Sequence, residues 1–368
     1  MNFVLSELCD QVMTARAGHK PLFVTGGGSK AFYGNYRPLT PQDGHCLLDM
    51  TPYRGIVSYH PSELVVTARA GTPLAELEAA LAEHGQMLAF EPPHFGPSAT
   101  LGGCVAAGLS GPRRMHAGAL KDFVLGVQLL DSEGRVLTFG GEVMKNVAGY
   151  DVSRLLAGSH GIFGAILEVS LKVAPRPMDE LTLCLPASQA HALASFALWR
   201  GKPLPVSATA WTGPDDGGEG EMRVRLSGAP PAIATARRQL GGEPMEPEAA
   251  RAWWASLREQ THSFFAADEP LWRLALPPTA GPVGKGPELI EWGGGQRWLR
   301  GEHDAGELRA LAAGLGGHAT LFRANGARAP ADGVFHPLSA GVAAITRRLK
   351  QELDPAGLFN PGRLVLDL

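Results

Sequence analysis

The four cysteines of this 368-residue chain, Cys9, Cys46, Cys104 and Cys184, stand far apart, and no two form a CxxC pair. That spacing excludes a local iron–sulfur or zinc motif and gives no disulfide framework, so a reducing cytoplasm is the expected setting. None of the 12 histidines has another three or four residues away, so no helical metal pair is available and no metal is expected. No run of apolar residues is long enough to cross a bilayer, and the first residues, MNFVLSELCD, carry acids where a basic leader would stand. The chain is therefore expected to be neither exported nor membrane-spanning. Charge of one sign is also scarce: 33 basic against 36 acidic residues leave a formal net charge of -3, which argues against broad attraction to nucleic acid or anionic lipid. Any anionic ligand must be held locally.

What is present is a 45% hydrophobic chain long enough for two domains, punctuated by 47 glycines and 29 prolines without any repeat. The stretch VTGGGSKAFYG, residues 24–34, matches the dinucleotide pattern GxGxxA through Gly26, Gly28 and Ala31, with Asp49 downstream. A Rossmann unit requires an unbroken helix after that loop, and Gly34, Pro38, Pro41 and Gly44 interrupt every possible one. The phosphate-loop alternative fails because no GxxxxGK followed by Ser or Thr is present.

The hydrophobic periodicity predicts a helix over 3–17, with Phe3, Val4, Leu8, Val12 and Met13 at helical spacing, then a buried strand PLFVT. Short strands follow in CLLDM, GIVSYH and LVVTARAG, and a helix is expected to start at Thr72 and Pro73, stop at Gly85 and bury Leu74, Leu77 and Leu81. FVLGVQLLDSEGRVLTFGG, residues 123–141, reads as a hairpin turning at Glu133 and Gly134, and AILEVSLKVAP as a further strand. The prolines of PRPM, 175–178, mark a boundary. Beyond it strands and helices alternate around an acidic glycine loop, TGPDDGGEGE, and WGGGQRW reads as a hairpin turn. The expected architecture is α+β: residues 1–178 as one domain, 179–330 as a smaller antiparallel sheet with helices on one side, and 331–368 as an amphipathic helix and turn returning to the first domain.

Two further stretches carry chemistry. In EPPHFGPSATLGGCVAAGLSGPRR, residues 91–114, glycines among small residues allow main-chain N–H groups to approach an anion. In EVMKNVAGYDVSRLLAGSHGIFGAILEVSLKVAPRP, residues 142–177, Asp151 is placed to cap a short helix, and Gly158, Gly161 and Gly164 admit close backbone approach. Singly these are ordinary turns and caps; two glycine loops together favour a pyrophosphate gripped from two sides.

Taken in order, the three stretches resemble the FAD-binding domain of the vanillyl-alcohol oxidase or p-cresol methylhydroxylase superfamily. Within it, GSKAF, GLSGPRR, FGGEVMKNVAGYDVSRLLAGSHG, GGHATLFRA and QELDPAGLFNPGRL resemble the FAD-binding subunits of bacterial glycolate oxidases. The resemblance implies FAD as cofactor, a two-part FAD-binding domain of that type and an antiparallel-sheet cap. It implies that Gly26, Gly27, Gly28 and Ser29 hold the pyrophosphate, with Thr100, Gly102 and Gly103 opposite and Gly158, Gly161 and Ile166 further along. Lys30, Ala31, Pro92, Ala99, Val105, Ala106, Gly108, Ile162 and Asn360 complete the implied cofactor-binding set. Relatives that tether the flavin use a histidine where Ser29 and Lys30 stand here, and Cys104 does not match the cysteinyl position, so non-covalent FAD is expected.

Oxidation of a 2-hydroxy acid at a flavin needs a base for the hydroxyl proton and a cation or metal for the carboxylate. Similar dehydrogenases carry GHxGDGNxH in the cap, whereas this chain has Gly317 and His318 followed by ATLFRA. The remaining candidates are His318 as base, Arg323 as carboxylate clamp, and Arg113, Arg114 and His116 in the second glycine stretch. Three roles follow: an FAD-bearing glycolate oxidase subunit beside a homologous flavin-containing catalytic subunit and an iron–sulfur subunit; a free-standing 2-hydroxy-acid dehydrogenase of the D-lactate type; or a structural subunit that keeps FAD as a folding ligand. The setting is cytoplasmic, with any contact at the inner membrane made through partner subunits.

Overall fold

The computed structural model describes residues 2–35, 46–141, 151–214, 218–326 and 329–368. Pro38, Pro41 and Gly44, residues 142–150 of the third stretch and residues 215–217 of the acidic loop lie outside them. The chain begins with α1 (Asn2–Ala17), β1 (Leu22–Thr25), β2 (Cys46–Asp49), β3 (Ile56–His60), β4 (Val65–Arg69), α2 (Leu74–Glu83) and β5 (Gln86–Met87). It continues through α3 (Leu101–Ala107), α4 (Arg114–Ala117), β6 (Val124–Leu130), β7 (Val136–Gly140), α5 (Val152–Leu155), β8 (Ala165–Lys172) and β9 (Ala174–Pro175). Strands β1 and β2 pair in parallel, and β3-β4-β8-β6-β7 form an antiparallel five-stranded sheet.

Helix α1 buries Leu8, Val12 and Ala15 at spacings of four and three, so its core stripe is narrower than the sequence predicted: Phe3 and Met13 face solvent. Helix α2 buries Leu74, Leu77 and Leu81 as expected, but Pro73 stands at its N-cap. The Thr72 hydroxyl instead accepts from the Gly55 amide at 2.9 Å, tying the helix to the preceding turn. The 131–135 turn closes because Asp131 Oδ1 accepts from the amides of Glu133 and Arg135, while Gly134 supplies a positive φ.

The second part comprises β10 (Asp179–Ala187), α6 (Gln189–Arg200), β11 (Val206–Thr212), β12 (Gly220–Gly228), α7 (Pro230–Leu240), β13 (Glu243–Pro244) and α8 (Pro247–Arg258). It ends with β14 (Leu271–Ala275), β15 (Glu288–Glu291), β16 (Gln296–Arg300), α9 (Ala305–Gly314), β17 (His318–Arg323) and α10 (Ala340–Leu353). These strands build an antiparallel sheet in the order β13-β10-β12-β11-β15-β16-β14-β17. Alternation along each strand splits its side chains between two cores. Trp211, Val224 and Ile290 meet α6 and α7, and Leu274, Leu299 and Leu321 meet α9. The opposite face presents Ala208, Ala210, Leu289, Trp298 and Phe322 to Tyr33, Ala107 and Leu109 of the first part. Helix α8 lies on this inner face, with Trp254 donating to the Thr182 hydroxyl at 2.9 Å, so helices cover both sides and not the one side expected.

The two parts are joined by a charged clamp. Glu91 accepts from the Arg113 backbone amide at 2.9 Å and Nε at 3.0 Å, and from Arg225 of β12 at 3.0 Å. Burial alone would raise the Glu91 pKa, but Arg225 and Arg113 outweigh it and hold the carboxyl below its ordinary 4.5. A lowered acid pKa gives stability that is complete above the unfolded value and lost as pH falls through the folded one. Glu91→Gln is therefore expected to lower stability at neutral pH by about 3 kcal/mol, leaving two arginines short of their partner. It should also flatten the wild-type loss of melting temperature as pH falls below about 4.5. Melting curves across that range check both effects.

The C-terminal segment packs back on the first part. Leu22 donates to the Leu358 carbonyl at 2.8 Å and accepts from the Asn360 amide at 2.9 Å, so residues 358–360 run beside β1. The anchor is polar: Lys350 Nζ donates to Asp354 at 2.6 Å, to the Ile162 carbonyl at 2.6 Å and to the Phe359 carbonyl at 2.8 Å. Helix α10 buries this lysine while exposing Val342 and Ile345, the reverse of what its amphipathic pattern predicts.

Candidate functional site

A cavity of 70 Å³ opens among β1, α3, the 160–164 turn and the C-terminal segment. Its walls are Val24, Gly26, Met50, Ala70, Thr100, Gly102, Gly103, Ala106, His160, Gly161, Gly164, Ile166 and Asn360. Eight residues of the implied cofactor-binding set thus share one wall: Gly26, Thr100, Gly102, Gly103, Ala106, Gly161, Ile166 and Asn360. Three are glycines whose missing side chains permit contact. A Cβ on Gly26 would stand 2.3 Å from the Thr100 hydroxyl, one on Gly102 2.7 Å from the Ala70 Cβ, and one on Gly161 2.7 Å from Asn360 Nδ2.

Asn360 holds three segments at once. Its Oδ1 accepts from the Val24 amide at 2.8 Å and its Nδ2 donates to the His160 carbonyl at 2.6 Å. With its own amide on Leu22, it fixes the C-terminal segment against the glycine loop.

The two glycine stretches are not equivalent. At residues 27–30 the amides of Gly27, Gly28, Ser29 and Lys30 donate to no acceptor among the described residues, while the Gly28 carbonyl accepts from Ala31. Consecutive free N–H groups in a glycine turn form a nest suited to phosphate oxygens. On the other side, residues 101–107 form helix α3, not the open loop expected. Its first amides are consumed internally: Leu101 donates to the Thr72 carbonyl at 2.9 Å, Gly102 to Ala70 at 2.7 Å and Gly103 to the Thr100 hydroxyl at 3.3 Å. The two-sided anion grip becomes donors on one side and a close, small-residue surface on the other.

Several expected cofactor residues have a scaffold role as well. A Cβ on Gly108 would meet the Gly158 Cα at 2.8 Å, so these two glycines let backbones cross. Val105 and Ile162 bury their side chains in the first core. A Cβ on Gly27 would fall 1.5 Å from the Ser98 carbonyl oxygen, packing that loop directly on the next. Lys30 turns to the His94 carbonyl at 3.1 Å, and burial lowers its pKa, with Cys104 and Glu259 opposing. Gly28, Ser29, Ala31, Pro92 and Ala99 also lie outside the enclosed wall.

The sequence reading missed Val24, Met50, Ala70 and His160, and named Gly164 only for close backbone approach. His160 takes a positive φ of 53° and stacks between Tyr33 and Phe335, with ring centroids at 5.1 and 5.2 Å. Burial, aided by Arg363, pushes its pKa down to about 3, so it is neutral at physiological pH. Its place between Ser159 and Gly161 in a run of glycines was the available signal. Cys104 lies in α3, and burial drives its thiol up to about 12, leaving no thiolate.

The catalytic candidates do not converge. Arg113 belongs to the Glu91 clamp and bridges to Glu180. His116 is exposed on α4. His318 and Arg323 begin and end the same strand, about 17 Å apart at 3.4 Å per residue, with a register irregularity against β14 between Leu321 and Arg323. His318 is exposed at the sheet edge, and Arg323 donates to Gln260 and stacks on Phe32 at 3.6 Å, where burial lowers its pKa to about 10. They cannot act together as base and clamp on one small acid. Among the described residues no group of three or more His, Cys, Asp or Glu is arranged for a metal ion.

Comparison with known proteins agrees with the cavity's glycine architecture. Residues 5–140 match the FAD binding domain family. The chain is 46% identical over 362 residues to glycolate oxidase subunit GlcE of Escherichia coli, covering 98% of this chain and 97% of that protein. A D-lactate dehydrogenase of Archaeoglobus fulgidus is 30% identical over 167 residues, 45% of this chain and 36% of that one. The fold is that of an alkyldihydroxyacetonephosphate synthase structure, with a TM-score of 0.69 at 15% identity over 98% of this chain and 76% of the other. At that level of identity along nearly its whole length, the chain belongs to the FAD-dependent family of glycolate oxidase subunit GlcE.

Proposed function

We propose that the chain is the FAD-bearing subunit of a glycolate oxidase assembly, in which glycolate is oxidised to glyoxylate and electrons leave through a separate iron–sulfur partner beside a homologous flavin subunit. The observation that carries this reading is a small-walled cavity reached by Gly26 of the first glycine loop, whose next amides, Gly27–Lys30, donate to no acceptor among the described residues, in a chain 46% identical to a glycolate oxidase subunit. When bound, FAD supplies a two-electron acceptor for the oxidation of an alcohol carbon. The amides of Gly27 to Lys30 would hold its pyrophosphate, and Gly103, Ala106 and Ile166 would bound it. Asn360 would keep the C-terminal segment closed over it.

The cofactor is held without a covalent bond. Cys104 is a buried neutral thiol, and Ser29 and Lys30 occupy the first loop. The four cysteines are all free, consistent with an iron–sulfur cluster on another subunit. No helix among the described residues is long and apolar enough to cross a membrane. In this reading the chain works in the cytoplasm, with any membrane contact made by partner subunits.

The test is anaerobic. The flavin-loaded chain is mixed with glycolate or D-lactate, alone and then with its partner subunits, while oxidised-flavin absorbance is followed. Bleaching by glycolate, alone or in the assembly, is expected; flavin that stays oxidised during turnover of the assembly overturns a redox role and leaves FAD as a folding ligand. Acid precipitation should release all the flavin to the supernatant, and flavin retained in the pellet would contradict non-covalent binding.

A further inference from the structure

A second cavity lies at the other end of α3. It is bounded by the Leu109–Pro112 segment, the end of α8 and the inner face of the eight-stranded sheet. Helix α3, about 10 Å long at 1.5 Å per residue, separates it from the FAD cavity, whose wall includes Gly102, Gly103 and Ala106.

The sheet register builds its floor. Glu291 pairs with Gln296 across β15 and β16, and Trp298 pairs with Arg273 across β16 and β14, all on the inner face. Arg273 Nε donates to Gln296 Oε1 at 2.7 Å, and Gln296 Nε2 donates to Glu291 Oε2 at 2.9 Å. Glu291 Oε2 also accepts from the Trp298 indole at 2.7 Å. The chain of bonds holds Arg273 through its Nε and leaves its two terminal nitrogens without an acceptor among the described residues. No carboxylate lies within ion-pair distance of Arg273 there, and none lies within that distance of Arg114. These two guanidinium groups flank one ring: Arg114 stands 4.4 Å and Arg273 5.3 Å from the Trp292 centroid. Two adjacent cations on a half-buried surface without carboxylate partners favour an anionic ligand.

Size is restricted as well. The cavity encloses 20 Å³, room for about one water, between the rings of Phe95, Trp298 and Phe322. A two-carbon acid exceeds that volume and enters only if lining side chains move, which sets the limit at small acids.

We propose that this cavity is the carboxylate subsite for a two- or three-carbon 2-hydroxy acid, with Arg273 binding the carboxylate through its terminal nitrogens and Gln296 and Glu291 positioning it. This rests on the functional reading above. Arg273 takes the role of carboxylate clamp expected of Arg323, held on the inner face by a register that sequence alone does not reveal.

Oxalate, which offers carboxylates but no oxidisable alcohol, is the probe. Calorimetric titration of the purified chain should show one oxalate site and no binding of mandelate. Arg273→Gln should weaken oxalate about tenfold or more with flavin content unchanged, and Arg273→Lys should fail to restore it because the fork is lost. If Arg273→Gln does not fold, Arg273→Lys decides by the same criterion. Gln296→Leu should raise the glycolate KM of the assembly with kcat little altered, the mark of a positioning role. A wild-type chain that ignores oxalate, or an Arg273 variant that binds it within about twofold of wild type, overturns the subsite. A chain that lacks flavin yet binds oxalate through Arg273 would instead sink the FAD reading and keep the subsite.

Discussion

Gly103→Val is expected to yield a folded chain that purifies without flavin. A Cβ at this position meets only the Thr100 hydroxyl, at 3.2 Å, and otherwise points into open space within the cavity. The valine methyls therefore occupy the space a cofactor needs without pressing on backbone. Replacing a helical glycine also removes an entropic cost of a few tenths of a kcal/mol, so the apo fold should not suffer. Gly27→Ala is the informative contrast. Its Cβ would fall 1.5 Å from the Ser98 carbonyl, so the 98 loop must move and stability itself should drop. Flavin absorbance together with thermal melting of the apo chains separates the two cases. Flavin at wild-type occupancy in Gly103→Val would mean that this cavity is not where the cofactor binds.

Lys350→Met should cost about 3–5 kcal/mol and release flavin as well, through a different route. Lys350 and Asp354 are both buried, and the lysine also satisfies the carbonyls of Ile162 and Phe359. Asp354 in turn accepts from the amides of Leu358 and Phe359, at 3.0 and 2.8 Å, so the pair shapes the turn that delivers Asn360. Removing the ammonium leaves a buried carboxylate and two carbonyls unpaired, a larger loss than the pair's net contribution. Lys350→Met combined with Asp354→Asn should recover part of the stability, because the uncompensated charge is gone. Chemical denaturation of the single and double variants gives the coupling. Full wild-type stability in Lys350→Met would refute the latch, and loss of stability with flavin fully retained would show that the C-terminal segment does not act on the cofactor.

The sequence by itself determined the elements whose cause is local. Periodicity marked α2 through Leu74, Leu77 and Leu81, and Asp131 with Gly134 marked the hairpin turn, because each rests on residues within a few positions of one another. The glycines of the first loop were legible for the same reason: an anion nest is a run of consecutive amides. Only the tertiary structure decided which of the marked glycines line the cavity and which let two backbones pass, since Gly108 and Gly158 differ from Gly103 solely in what stands opposite. It also decided the chemistry of the second cavity. Glu291, Gln296, Trp298 and Arg273 come from three strands and meet through antiparallel register, whereas His318 and Arg323, adjacent in a suggestive motif, are held apart by the extension of a single strand. A strand separates its neighbours along the chain and joins residues distant in sequence across it, so sequence proximity was the wrong guide to that site.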